Sequence, residues 1–277
     1  MAESKPRLSR RAFLGTTLAA LAAGGIVGVV ARRVAARLQI EHRRLRVPGW
    51  TADGFRLALL SDLHLRNEDD VRLALHAFEQ CLAANPQAIV IVGDFATAKR
   101  DHELEFAEAF LRGIRGHSVP VFGSLGNHDY HEHFAGHCPI REIAARQNFH
   151  LLVNEVAATD TVTMVGFDDA LRGTPDYRIP KRIHGPNVIG LLHEPDFVSS
   201  VPAQVNLVLS GHSHGGQICP FPGVPLYTPN GARTFRRGWY PHAPRPLYVS
   251  RGLGTVGLPM RLNCPPELTI MDLLGTA

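Results

Sequence analysis

The stretch Leu209 to Gln217 reads LSGHSHGGQ, so His212 and His214 stand one residue apart, between glycines, at the end of an apolar run. Residues two apart point the same way where a chain is extended, so the two imidazoles can face one cation together. Four more clusters share that setting. Asp62 and His64 follow the run Phe55–Leu60, and Asp94 follows AIVIVG. Asn127 and His128 follow Val119–Leu125 and a glycine, and His193 follows Val188–Leu192. Carboxylates, imidazoles and an amide together suit hard-to-borderline cations such as Mn, Fe or Zn. Asp94 has two oxygens and can bridge two ions. Gly93, Gly126 and Gly211 let the backbone turn sharply and approach closely. Fifteen histidines, against five tyrosines and two tryptophans, invite a search for ligands and acid–base groups.

Such residues act only if the chain brings them to one place. Short apolar runs predict strands at Phe55–Leu60, Ala88–Val92 and Val119–Leu125. Further strands are predicted at 151–153, 162–166, 188–192, 205–209, 247–250 and 268–273. Val71, Leu75, Phe78 and Leu82 mark one face of a helix over 68–84. Leu104, Ala107, Phe110, Leu111 and Ile114 mark another over 101–115. Helices and strands alternate in the first half and strands dominate the second, which predicts an α/β sandwich of two packed sheets flanked by helices. Every cluster then lies just beyond a strand, where α/β sheets bind ligands. The segment 218–246 holds seven prolines together with Arg233, Arg236 and Arg237. It reads either as cover over a site or as a rigid surface loop.

The blocks SDLH, GD, GNHD, LLHEPD and GHSH, in that order, closely resemble the pattern of the calcineurin-like metallophosphoesterases. The resemblance runs from about residue 55 to the C-terminus. It implies a four-layer α-β-β-α sandwich of two mixed sheets and two divalent metal ions (Mn, Fe, Zn or a mixture). Carried over residue by residue, it implies one ion held by Asp62, His64, Asp94 and His214. The second would be held by Asp94, Asn127, His193 and His212. His128 would be the acid beside the substrate, and Asp129 either orients His128 or serves as a turn or cap residue. The residues after Gly93-Asp94 are Phe-Ala-Thr-Ala-Lys, without the Asp-Arg-Gly of the family's protein phosphatases, which counts against a phosphoprotein substrate. The segments 247–260 and 261–266 look like a branch of membrane-anchored or twin-arginine-exported bacterial members, one of which cleaves UDP-2,3-diacylglucosamine.

Ala12 to Ala31 is a run of twenty residues without charge. As a helix, at about 1.5 Å per residue, it is long enough for a bilayer core. The preceding SRRAFL resembles a twin-arginine export signal, and an ordinary signal anchor fits the same residues. The expectation is a twin-arginine-like signal or membrane anchor with basic flanks over 1–46, favoured as uncleaved although Ala20-Leu-Ala22 offers a cleavage site, a catalytic domain over 47–277, and an extracytoplasmic placement at the inner membrane. Six arginines after the run leave the reverse orientation open.

The net charge of +4 divides into +8 for residues 1–46 and −4 for the remainder. The basic character thus belongs to the N-terminal segment and argues for a membrane surface, not nucleic acid. Cys81, Cys138, Cys219 and Cys264 form no C-x-x-C pair and read as buried thiols. His131, His133 and His137 read as a solvated rim, and Lys181, Arg182 and His184 as a surface charge cluster.

The expected activity is hydrolysis of a phosphodiester or pyrophosphate bond. The substrate would be a membrane lipid, a lipid-linked nucleotide-sugar or another envelope component. A phosphomonoesterase and a non-catalytic, metal-stabilised envelope binding module are the alternatives.

Overall fold

The computed structural model describes residue 25 and residues 27–97, 101–130, 137–183 and 185–276. SRRAFL, most of the Ala12–Ala31 run, His131, His133 and His184 lie outside them, as do the side chains of Lys181 and Arg182. Among the described residues no helix is long and apolar enough to cross a membrane.

Two six-stranded mixed sheets form the frame. The first runs in the order β1 (Gln39–Val47), β12 (Glu267–Gly275), β2 (Phe55–Ser61), β3 (Ala88–Val92), β4 (Val121–Ser124), β5 (His150–Leu151). The second runs β10 (Gly238–Tyr240), β11 (Leu247–Val249), β9 (Leu207–Ser210), β8 (Val188–Leu191), β7 (Thr163–Gly166), β6 (Glu155–Ala158). β2, β3, β4 and β5 are parallel neighbours, as are β7, β8, β9 and β11. Both sets end at one side of the molecule, since residues that follow β2, β3, β8 and β9 come together there.

The strand β3, AIVIV, shows why the sheet sits in the middle. Ala88, Val90 and Val92 pack into the core between the sheets, while Ile89 and Ile91 face the helices. A strand apolar on both faces has no solvated side. The helices α1 (Glu68–Ala83), α2 (Asp101–Gly113) and α3 (Pro139–Arg146) cover the first sheet. The start of α1 is set by Asn67, whose side chain accepts the Asp70 amide, and by three acids in its first turn. The outer face of the second sheet is covered more thinly, by the 3-10 turns at Ile179–Arg182 and Pro195–Ser200 and by the segment around Phe235 and Tyr240. The four layers expected from the sequence are present, the last of them built from short turns and loops.

The basic flank before residue 47 contributes a strand to the first sheet. Residues 39–47 are a strand paired in parallel with β12 along its whole length. Leu45 and Val47 point into the core, Arg44 and Arg46 lie on the opposite face, and Arg43 is exposed. β1 is an edge strand, and charge on such a strand blocks further pairing. Its polar sequence, QIEHRRLRV, therefore reads as a flank although it is part of the sheet. Counted with the sheet, the strand leaves +6 on residues 1–38 and −2 on the rest.

Candidate metal centre

The chemistry-bearing residues follow the parallel strands directly. Asp62 and His64 follow β2, Asp94 follows β3, Asn127 and His128 follow β4, His193 follows β8, and His212 and His214 follow β9. Five of these adopt left-handed backbone: Asp62 (φ 50), His64 (φ 44), Asp94 (φ 55), His212 (φ 65) and His214 (φ 49). Each such turn costs an L-residue about 1–2 kcal/mol, and strain of this kind gathers where a site needs its side chains aimed.

Two groups result, joined at Asp94. Asp62, His64, Asp94 and His214 offer ligand atoms within 4.8 Å of one another, and so do Asp94, His193 and His212. His64 Nε2 lies 3.4 Å from Asp94 Oδ2 and 3.1 Å from His214 Nε2. His214 Nε2 lies 3.5 Å from Asp62 Oδ1. On the other side, His193 Nε2 lies 3.2 Å from Asp94 Oδ2. Asn127 lines the same cleft as Asp94, His212 and His214, and its Oδ1 is buried with no hydrogen-bond partner among the described residues. His193 Nε2 is likewise buried, facing the Asp94 carboxylate. A buried amide oxygen without a hydrogen bond, in a cleft with imidazoles and a carboxylate, is what a cation would satisfy.

The glycines make room. A Cβ on Gly93 would come within 2.1 Å of His193 Nδ1, and one on Gly126 within 2.4 Å of Asp94 Oδ1. Side chains at either position would displace a ligand of the second group.

The second contacts fix the rings and carboxylates. His193 Nδ1 is 3.2 Å from the Val92 carbonyl, His212 Nε2 is 2.9 Å from the Asn230 carbonyl, and His64 Nδ1 is 3.2 Å from Thr97 Oγ1. Each leaves the other ring nitrogen to a ligand role. The His212 amide donates to both oxygens of Asp62, and the His128 amide donates to Asp94 Oδ1 at 2.8 Å.

The electrostatics fit a cation. Burial holds His64 and His214 well below the usual imidazole range, and burial with the nearby His193 holds His212 at about 4. All three rings are therefore neutral and able to donate a lone pair near neutral pH. Burial raises Asp62 to about 6. Burial also works against charge on Asp94, but His193 and His128 outweigh it and hold this carboxyl well below its usual range. For His193 the balance runs the other way: burial opposes charge, and Asp94 and Asp62 overcome it and raise the pKa well above the ordinary value. The same pull favours any cation between those carboxylates.

His128 stands at the mouth, half-buried, its ring centroid 5.1 Å from that of His64. Together with Asp94, Asn127, His212 and His214 it lines a cleft of about 580 Å3 whose remaining wall is largely apolar, including Leu171, Ile218, Leu226, Tyr227 and Leu258. Part of the segment 218–246 thus borders the site, as one of its two sequence readings had it.

Asp129 takes the turn role of its two expected ones. It is fully buried, and its carboxylate accepts the backbone amides of Asp94, Phe95, Ala96 and Gly126. Among the described residues no hydrogen bond joins it to the His128 ring. It positions loops. Sequence reasoning also missed Arg261, whose guanidinium is fully buried and donates to the carbonyls of Gly252, Gly254, Cys264 and His214. This cage holds the His214 loop against the 251–264 segment. Nothing in local sequence separates such an arginine from a surface one. His137, by contrast, is exposed.

A family model described as calcineurin-like phosphoesterase matches residues 55–216, which include every residue of both ligand groups. The chain is 30% identical to YkuE, an uncharacterised metallophosphoesterase of Bacillus subtilis, over 98% of this chain and 99% of that protein. It is 27% identical to the phosphodiesterase YaeI of Escherichia coli, over 96% of this chain and all of that protein. It is 26% identical to the UDP-2,3-diacylglucosamine pyrophosphatase LpxG of Chlamydia trachomatis, over 80% of this chain and 84% of that protein.

Proposed function

The chain belongs to the calcineurin-like phosphoesterase family and is a phosphoester hydrolase, and from that premise we propose that it cleaves a phosphodiester or pyrophosphate bond of a lipid-borne substrate at a two-cation centre. The carrying observation is Asp94, shared by both ligand groups, with the buried Asn127 Oδ1, which has no hydrogen bond among the described residues, in the same cleft. Asp62, His64, Asp94 and His214 would hold one divalent cation. Asp94, Asn127, His193 and His212 would hold the other. Two such cations supply a water acidified towards neutrality and positive charge for the phosphoryl oxygens.

The chain's own residues do the rest. His128 lies at the cleft mouth, fixed through its amide to Asp94 Oδ1, where its ring can donate a proton to a leaving oxygen. The Asp129 carboxylate keeps the β3 and β4 loops in register, so that His128 and Asp94 face the same space. The apolar wall formed by Leu171, Leu226 and Leu258 excludes water from one side and suits a substrate with hydrocarbon next to its phosphoester. The pyrophosphatase name carried by one relative and the phosphodiesterase name carried by another support the bond class. The uncharged run Ala12–Ala31 supports attachment to a bilayer. With its twin-arginine-like SRRAFL it further supports an extracytoplasmic position, which a reporter fused after Ala277 tests.

The experiment is hydrolysis of bis-p-nitrophenyl phosphate by purified, Mn-loaded protein, beside the monoester p-nitrophenyl phosphate. Faster turnover of the diester is expected. Preference for the monoester would make the protein a phosphomonoesterase, and no turnover of either would leave a binding module.

A further inference from the structure

Two loops crown the cleft. The first carries Phe221, Val224, Leu226 and Tyr227, exposed by 69, 55, 69 and 73%. The second carries Val256 and Leu258, exposed by 39 and 58%. Gln217 joins them, its side-chain amide donating to the Val256 and Leu258 carbonyls while its Oε1 accepts the Val256 amide. The loops thus form one patch. Four of its side chains also line the cleft, so the apolar surface continues from the outside to the metal centre. Large apolar groups exposed together on a protein otherwise well buried mark a contact with an apolar partner.

Three features select the partner. The first is the path of the chain. The helical residues 27–35 expose Val27, Val29 and Val30, and the Ala31 carbonyl accepts the Arg261 amide, three residues beyond Leu258. The uncharged run Ala12–Ala31 therefore meets the fold beside the patch. The second is charge. Between Asp196 and Glu267 in the sequence there is no acidic residue, whereas arginines stand at 233, 236, 237 and 245; Arg251 is paired with Glu41 and Glu267, and Arg261 is buried. Arg233 and Arg236 are exposed, and the Arg237 guanidinium lies against Gly223 at the tip of the first loop. Apolar tips fringed by arginine fit acyl chains beneath anionic headgroups. The third is stiffness. Pro220, Pro222, Pro225 and Pro229 restrict the first loop, so presenting its apolar side chains loses little conformational freedom. A second copy of the chain docked through the same patch would oppose arginine to arginine.

We infer that this rim inserts into the acyl layer of an anionic bilayer and sets the metal centre at headgroup depth. The inference rests on the hydrolase reading for what reacts there: a phosphoester in a lipid headgroup reaches His128 without leaving the membrane.

The test uses the full chain, Mn-loaded, and vesicles of equal phosphatidylglycerol and phosphatidylcholine, with and without brominated acyl chains. Phe221→Trp and, separately, Leu258→Trp add an indole to a background of only Trp50 and Trp239, which the wild-type protein measures. The added emission is expected to shift to the blue on vesicle binding and to lose most of its intensity to the brominated lipids. Phe221→Asp with Val224→Asp is expected to weaken vesicle partition by about tenfold or more. Protein that binds vesicles while the added indole stays unquenched would assign binding to the N-terminal segment alone and overturn the inference. So would a failure to bind, or a lipid-independent blue shift that grows with protein concentration, the mark of a second copy over the patch. Turnover of bis-p-nitrophenyl phosphate by the wild-type protein reports on the hydrolase reading independently of these results.

Discussion

Asp129 Oδ2 accepts the backbone amide of Asp94 at 2.9 Å, so the buried acid after β4 holds the backbone of the residue shared by both ligand groups. Four amides converge on that one carboxylate. Asp129→Ala leaves them buried without an acceptor and is expected to lower stability by about 2–4 kcal/mol. Metal binding should weaken at both groups. Denaturant unfolding and metal analysis check this. A variant of unchanged stability with only kcat reduced would restore Asp129 to the role of orienting His128.

Removing the shared ligand should cost more metal than removing an unshared one. Asp94→Ala is expected to lose occupancy at both groups, and His193→Ala at the second alone. Elemental analysis of dialysed protein separates the two. Two full equivalents retained by Asp94→Ala would contradict the bridge.

His128 contributes its ring to the cleft and only its backbone amide to the ligand scaffold. His128→Asn should therefore keep the wild-type metal content while slowing turnover by roughly 100-fold or more. The loss should be larger for poor leaving groups, which need the proton, than for p-nitrophenolate. A rate near wild type on an alkyl ester would remove His128 from proton transfer.

Acid should expel the metal through Asp62. Burial raises this carboxyl to about 6, and ligation requires its ionised form. Above pH 6 the group is ionised and no proton competes. Below it, each unit of pH should weaken the first group by up to about tenfold. His212, held at about 4, stays neutral over that window and adds no further competition. Competition with a chromophoric chelator at several pH values between 5 and 8 measures the slope.

Much of the frame is legible in residue patterns because burial writes them. AIVIV can only be a strand covered on both faces, and Ala107, Phe110, Leu111 and Ile114 can only be one side of a helix. The ligands are legible for a chemical reason: aspartate, asparagine and histidine recur where strands end. Three things escape. β1 is polar because an edge strand buries little more than Leu45 and Val47. α3 has two turns, too few for a period to show, although Ile140, Ile143 and Ala144 are buried. Asp129 and Arg261 answer to backbone amides and carbonyls, which carry no mark in the order of side chains.

β12 lies between β1 and β2, yet it is made more than two hundred residues after β2. During synthesis the first sheet is therefore split, with its two halves waiting for a strand still inside the ribosome. Contacts of such long range form late and slowly. Asp62 and His64, at the end of β2, cannot take their final geometry until that gap is filled. Binding of a cation at the first group is thus expected only after β12 has joined the sheet.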